Sequence, residues 1–210
     1  MLKRLVLTCC LLAGASYAQN WYVGVGGGFG YAPKLTVSGL TPDAKTGFNS
    51  GGALGAFFGE DSHNYWSGEV HYLHRWDALS LSSGGTKVDF AGHSDILHAD
   101  FLRNFAPRGS KIRPFVALGG GVRFVAGTGV ESATQPLGNY AALTATRETL
   151  PVLDAAFGVR AKLSKSVEFR VEVRDYMSPA PNKVIAPAPG ANIGGWFNDI
   201  VASASIGYSF

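Results

Sequence analysis

Apolar and polar residues alternate one by one through much of the chain, most clearly between residues 167 and 174. The odd positions of this segment hold Val, Phe, Val and Val, and the even positions hold Glu168, Arg170, Glu172 and Arg174. Because successive side chains of a strand point to opposite faces, the pattern predicts a β-strand with one apolar and one charged face. Valines at three of the four apolar positions favour the same assignment.

The same alternation recurs in eight stretches, whereas helical periodicity is almost absent. We predict strands at about 20–31, 48–59, 65–77, 93–105, 114–126, 151–163, 167–177 and 197–210. The connections at 31–47, 77–93, 127–149 and 178–196 are long, and those at 60–64, 106–113 and 164–166 are short. Long loops on one side and short turns on the other predict an all-β, eight-stranded antiparallel up-and-down barrel of the transmembrane type.

Two orientations of the barrel faces are open at this stage. A charged face turned outward would give a soluble ligand-binding barrel with an apolar interior, and a charged face turned inward would give a membrane barrel. Aromatic residues near the predicted strand ends favour the membrane case. The charges of the polar face also balance, as expected for charges enclosed in a narrow lumen. The predicted lumen charge network is Glu69, Arg75, Asp100, Arg123, Asp154, Arg160, Glu168, Arg170, Glu172 and Arg174.

The first 18 residues have the composition of a secretory signal peptide. Lys3 and Arg4 precede a short apolar run, and Ser16 to Ala18 places small residues before a predicted cleavage site. Cys9 and Cys10 both lie in this segment, so disulfides are not expected in the predicted barrel domain, 19–210. The net charge of +3 for the whole chain is too small to indicate a nucleic-acid surface. Export to the bacterial outer membrane is the predicted localisation.

Several motifs resemble those of the bacterial outer membrane protein beta-barrel domain family, which includes the small OmpA-like and OmpX-like barrels. The final six residues, Ser-Ile-Gly-Tyr-Ser-Phe, are similar to the C-terminal signal recognised by the barrel assembly machinery, with Ile206, Tyr208 and Phe210 as its apolar positions. The internal motifs that carry the resemblance are His98–Phe101, Pro107–Ser110, Arg113–Val116 and Arg174–Tyr176. The resemblance covers 19–210 and implies an outer-membrane protein, in contact with lipid and lipopolysaccharide, without implying an enzymatic activity.

The lumen is the main candidate site. A polar plug of ion pairs is the interpretation we favour, because an eight-stranded barrel holds side chains and little else. A narrow small-solute channel is the alternative, and planar-bilayer conductance would distinguish the two. If the segment Ser82–Gly85 closes a hairpin, Glu69 lies opposite His98, with His71 and Asp100 diagonal to them, and these four could hold a divalent metal. We favour a hydrogen-bonded cluster at that place, without a metal or other cofactor.

Neither catalysis nor a particular ligand follows from the sequence. Lipid A deacylases of the barrel type carry a serine two positions after a histidine, and none of the five histidines has one. The protein is therefore predicted not to be an enzyme. The long loops would carry recognition of an unknown surface ligand. Four prolines stiffen the fourth loop, which we do not expect to extend the sheet.

Overall fold

The computed structural model describes residues 20–39, 42–127 and 135–210, and these residues form an all-β structure. The predicted signal peptide, 1–18, with Cys9 and Cys10, lies outside the described residues. Within the described ranges, no helix is long and apolar enough to cross a bilayer.

Eight long strands close into an antiparallel barrel in which each strand pairs with its sequence neighbours and the last pairs with the first. Their order and bounds are β1 (Trp21–Tyr31), β4 (Gly51–His63), β5 (Trp66–Arg75), β8 (Gly92–Asn104), β9 (Ile112–Gly127), β11 (Arg147–Lys162), β12 (Val167–Pro179) and β15 (Trp196–Ser209). All eight predicted strands are confirmed, with ends displaced by a few residues. The predicted fold class is therefore correct.

The apolar residues of the barrel strands face outward, and the charged residues face the lumen. Along β12, Phe169 and Val171 are exposed, whereas Arg170 and Arg174 are each 1% exposed. The predicted alternative with the faces reversed is therefore wrong for this fold. Large aromatic side chains lie exposed near both rims: Trp66 and Phe105 at the short-turn end, and Trp76 and Trp196 at the long-loop end.

The long loops are not plain connections but form a cap over one mouth of the barrel. The cap strands are β2 (Leu35–Ser38), β3 (Ala44–Phe48), β6 (Leu79–Ser83), β7 (Thr86–Phe90), β10 (Ala141–Leu143), β13 (Ile185–Pro187) and β14 (Asn192–Ile193). Five of them form one sheet in the order β14-β2-β3-β6-β7, and β10 pairs with β13. Their buried side chains, which include Val37, Phe48, Leu81 and Ile185, form a hydrophobic core together with Phe197 at the upper end of β15. The mouth at the long-loop end is thus covered by packed structure.

The predicted hairpin around Ser82–Gly85 exists, but its turn is centred one residue later than expected. Ser83 pairs with Thr86, and Gly84 and Gly85 form a two-residue turn with φ of 55° and 84°. Positive φ at both central residues is typical of a type I′ hairpin turn. Moving the centre of a hairpin by one residue moves every cross-strand partner by two. The predicted pairing of Glu69 with His98 is therefore wrong.

The fourth long loop does not extend the barrel sheet, as expected, but it contributes short strands to the cap that the alternation pattern does not predict. Ile185–Pro187 pairs with Ala141–Leu143, and Asn192–Ile193 adds an edge to the cap sheet beside β2. Proline is tolerated at a sheet edge, where its missing N–H leaves no ladder bond unmade. The loop therefore builds the cap while leaving the barrel at eight strands.

Candidate functional site: the charged lumen

Each residue of the predicted lumen network points into the barrel, because all of them occupy the inward positions of their strands. Four further charged residues of the described chain, which the predicted network does not contain, also lie inside, namely Asp61, Asp77, Arg113 and Asp199. The network falls into three layers along the barrel axis. We call them lower, middle and upper, the lower layer lying near the short turns.

The lower layer is built around Asp61, which lies near the end of β4. Arg113 Nη1 donates to Asp61 Oδ2 at 2.6 Å, and Arg160 Nη1 approaches Asp61 Oδ1 at 3.4 Å. Arg160 also forms an ion pair with Glu69 and lies 3.9 Å from Glu168. Two carboxylates, Asp61 and Glu168, thus face two guanidinium groups at this end of the lumen.

The upper layer is a square of two arginines and two aspartates below the cap. Arg75 Nη2 lies 2.9 Å from both Asp77 Oδ1 and Asp199 Oδ1, and Arg123 Nη2 lies 3.2 and 3.1 Å from the same two carboxylates. The Arg123 guanidinium lies 5.1 Å from the ring centroid of Phe48 in the cap core. The cap therefore packs directly on the upper layer.

The middle layer holds Glu69, Asp100, Asp154 and Glu172 against Arg170 and Arg174. Arg170 Nη1 donates to Glu69 Oε2 at 2.8 Å, and Arg170 Nε donates to Glu172 Oε2 at 2.8 Å. Arg174 forms ion pairs with both Asp100 and Asp154. Two buried histidines complete this layer, with His71 Nε2 at 2.7 Å from Glu69 and His98 Nδ1 at 2.7 Å from Asp100.

The four residues of the predicted metal cluster come together in this layer, although their register differs from the expectation. Glu69 pairs with Asp100 and His71 pairs with His98 across β5 and β8. The two imidazole rings stack with centroids 4.8 Å apart and planes 15° apart. His71, His98 and Asp100 offer ligand atoms that all lie within 4.8 Å of one another.

The one-to-one charge balance predicted from the sequence does not hold. In the described lumen the acidic side chains are Asp61, Glu69, Asp77, Asp100, Asp154, Glu168, Glu172 and Asp199, and the arginines are Arg75, Arg113, Arg123, Arg160, Arg170 and Arg174. The prediction missed Asp61 and Asp77 because they lie where a strand meets a turn or loop, and alternation is least informative there. It also left out Arg113 and Asp199, although both lie on inward positions.

Gly30 of β1 makes room in the lumen for the long side chain of Arg75. A methyl group at Gly30 would lie 2.2 Å from the Arg75 guanidinium. A cavity of about 40 Å³ lies between His71, Arg170, Glu172 and Ser203. That volume holds only about three or four water molecules.

The three residues of the predicted assembly signal lie on the outer wall at the short-turn end. Ile206, Tyr208 and Phe210 are 55%, 52% and 50% exposed. Ile206 and Tyr208 pair with Val25 and Val23 of β1 at the seam where the barrel closes. The signal side chains therefore do not enter the lumen.

Lys34 is the most enclosed cation of the cap. Its Nζ donates to the Phe48 carbonyl at 2.8 Å and to Asn49 Oδ1 at 2.9 Å, and it also contacts the Ser80 hydroxyl. Burial, and secondarily the charge of Lys87, lower the pKa of Lys34 to about 8, although Asp89 opposes the shift. The ammonium links the cap sheet to the top of the barrel.

Comparison with solved structures identifies the architecture. The outer membrane protein OprG from Pseudomonas aeruginosa superposes with a TM-score of 0.58 and 14% identity, covering 92% of this chain and 97% of that one. Neisserial surface protein A superposes with a TM-score of 0.57 and 11% identity, covering 90% and 97%. The fold is that of the small eight-stranded outer-membrane barrels.

Similarity to these outer-membrane barrels is a similarity of fold, since both identities are low. The resemblance to OmpA-like and OmpX-like proteins that the sequence motifs indicated is confirmed at this level. No protein-family model matches the sequence, and no curated protein matches it.

Proposed function

We propose that this protein is an integral outer-membrane barrel with a charge-paired, closed lumen and a structural or surface-interaction role. The observation that carries the proposal is the distribution of polarity, which is the reverse of that in a soluble protein: apolar side chains face outward and charged side chains face inward. Large exposed hydrophobic side chains occur all around the barrel, including Phe29, Phe58, Leu97, Leu118 and Phe157. In water such a wall would be an aggregation surface, whereas in lipid it is the low-energy arrangement.

A closed lumen is supported by the three charged layers. Isolated charges taken out of water cost several kcal/mol each, so arginines and carboxylates spanning a narrow barrel stabilise it only while they stay paired. The small cavity beside Arg170 does not favour the narrow-channel alternative. If the lumen is closed, the refolded protein in a planar bilayer should give no steady conductance. A stable unit conductance would favour the channel.

The cap is the part of the molecule that we propose for surface interaction. It rises at the long-loop end, opposite the termini, which is the outward-facing side in outer-membrane barrels with long external loops. The tip of its β6–β7 hairpin carries exposed Lys87 and Asp89, paired at 2.8 Å. This pair does not identify a ligand, and we propose no enzymatic activity.

At the other end, we propose that Phe210 and its neighbours form the assembly signal. Lipid and lipopolysaccharide are the expected surroundings of the wall, and the barrel assembly machinery is the expected partner of the C-terminus. If so, Phe210→Ala should lower the amount of barrel in the membrane while the purified variant still refolds in detergent. Equal loss in both settings would indicate a purely structural role for the ring.

The experiment that tests the proposed location is fractionation followed by electrophoresis of boiled and unboiled samples. A barrel held by its closed hydrogen-bonded sheet should resist detergent and migrate differently before and after boiling. We expect the band in the membrane pellet, with a heat-dependent shift. A protein found in the soluble fraction would contradict the proposal.

A further inference from the structure

The negative charge of the lumen is not spread evenly over its three layers. The lower layer pairs Asp61 and Glu168 with two arginines, and the upper layer pairs Asp77 and Asp199 with two more. The middle layer has four carboxylates and only two arginines of its own. This is also the layer that contains both buried histidines of the described lumen, His71 and His98.

Arg174 engages only one oxygen of each of its two aspartates. It contacts Asp100 Oδ2 and Asp154 Oδ1, which leaves Asp100 Oδ1 and Asp154 Oδ2 on the other side. Both of these oxygens approach His98 Nδ1, at 2.7 and 3.3 Å. Two carboxylate oxygens and one imidazole nitrogen therefore converge on one place, with the guanidinium behind the carboxylates.

Two further observations favour a ligand-binding site here over a cluster in which every polar atom already has a close partner. Asp154 is only 2% exposed, and its Oδ2 has no closer polar partner than His98 Nδ1 at 3.3 Å. A methyl group at Gly119 would meet Asp100 Oδ1 at 2.1 Å and Asp154 Oδ2 at 2.9 Å, so the missing side chain leaves room for both oxygens. His71, on the neighbouring strand, lies beside this place: its Nε2 is 3.5 Å from Asp100 Oδ2 and 2.7 Å from Glu69 Oε2.

We propose that His71, His98, Asp100 and Asp154 form a binding site for one divalent transition-metal cation such as Zn²⁺ or Co²⁺. Two imidazoles and two carboxylates are a donor set that suits these ions. The two positive charges of the ion equal the excess of carboxylates over arginines in the middle layer. Arg170 and Arg174 then lie outside the shell of metal ligands, where they orient Glu69, Asp100 and Asp154.

The ligand atoms of His98, Asp100 and Asp154 need only small movements to reach coordination distance. A tetrahedral ion with bonds of about 2.0–2.2 Å holds its ligands roughly 3.3 Å apart. His98 Nδ1 lies at that spacing from Asp154 Oδ2, at 3.3 Å, and closer than it to Asp100 Oδ1, at 2.7 Å, so binding replaces the proton between them. The His71 imidazole has to turn from Glu69 toward the ion. The site rests on the barrel lumen and not on the proposed membrane location, so the two proposals can fail separately.

Cobalt is the probe for the test, because Co²⁺ bound to protein ligands has visible absorption bands. The enclosed lumen makes loading during folding the suitable route, so the purified chain is refolded in detergent with Co²⁺ and then freed of unbound metal. We expect one cobalt per barrel, with visible absorption and a raised thermal unfolding temperature. A folded barrel, verified by its heat-dependent gel shift, that retains no cobalt would overturn the site.

Matched histidine variants locate the ion. His71→Asn and His98→Asn should each lose the bound cobalt, while His74→Asn, on the outer wall, should keep it. Should the lumen histidine variants fail to show the heat shift, Asp154→Asn provides a variant of unchanged shape that should also lose the metal. Cobalt retained by folded variants at all three ligand positions would overturn the proposal, as would loss on changing His74 alone.

Discussion

At Gly121, the backbone of the neighbouring strand approaches too closely to leave room for a side chain. A methyl group there would lie 2.0 Å from the Leu97 carbonyl oxygen and 2.6 Å from the His98 Cα. Because these are backbone atoms of the paired strand, they cannot move aside independently. Gly121→Ala should therefore lower the free energy of unfolding by about 1–3 kcal/mol, measured by urea unfolding in micelles.

Gly68 is the matched control for this substitution. A methyl group at Gly68 would meet nothing within 4 Å, although this residue also lies in a barrel strand. Gly68→Ala should leave stability unchanged or raise it slightly, because alanine reduces the freedom of the unfolded chain. Equal effects of the two substitutions would contradict the close approach at Gly121.

Lys34 gives the cap a dependence on pH. Its pKa is about 8 in the folded protein and near 10.5 in the unfolded chain. Between these values the unfolded state binds more protons, so the contribution of this residue to stability should rise with pH and level off above about 10.5. Below pH 8 the charged amine is retained in both states, and the contribution is constant at its lower level.

The comparison of wild type with Lys34→Met isolates this dependence from other titrating groups. Hydrogen exchange of cap amides gives the local stability at each pH, and the difference between the two proteins should change between pH 8 and 10.5. A difference that stays constant over this interval would show that the folded-state pKa of Lys34 is not lowered.

At the scale of elements, the barrel strands were predictable because each has one face that contacts the apolar surroundings and one that faces the lumen. The alternation from residue 167 to 174 results directly from that difference. The cap strands show no alternation of comparable length. Leu35–Ser38 and Ile185–Pro187 are short, and their assignment depends on packing between loops distant in sequence.

Register was less predictable than strand identity. The pairing of His71 with His98 depends on which two residues of a Ser-Ser-Gly-Gly segment occupy the turn. Alternation is unchanged when a hairpin shifts its partners by two, since the same faces remain in contact. The positive φ angles of Gly84 and Gly85 resolve this ambiguity, and a strict type I′ rule applied to the sequence would have favoured the same turn.

The cap core is a different cluster from the two apolar clusters inside the barrel, although Phe197 of β15 joins it, so a substitution in a cap strand should act mainly on the cap. Leu81 is 1% exposed within the cap core. Leu81→Ala should destabilise the cap by about 2–5 kcal/mol, seen as faster proteolysis of the β6–β7 hairpin. The heat-dependent gel shift of the barrel should be unaffected. Loss of that shift would show that the barrel depends on the cap for its stability.

At the scale of the whole molecule, the lumen explains why the ion-pair network was only partly predictable. The inward residues of each strand could be read from the sequence, and ten charged positions were placed in the lumen in this way. The excess of two carboxylates could not, because it comes from the missed residues, three acidic side chains (Asp61, Asp77 and Asp199) against one arginine (Arg113). Asp77 and Asp199, for example, meet below the cap. These residues are distant in sequence and come together only when the barrel closes.

The central claim is that the apolar wall of the barrel faces lipid and the charged wall faces the lumen. The predicted barrel domain has no cysteine, so a single cysteine can carry a fluorophore at Val171 on the outer wall or at Lys87 on the cap hairpin, where both side chains are exposed. Each labelled protein is refolded into vesicles that contain lipids brominated at mid-chain, which quench on contact. This arrangement predicts strong quenching of the label at position 171 and little at position 87. Equal quenching at both positions, or none at position 171, would contradict it.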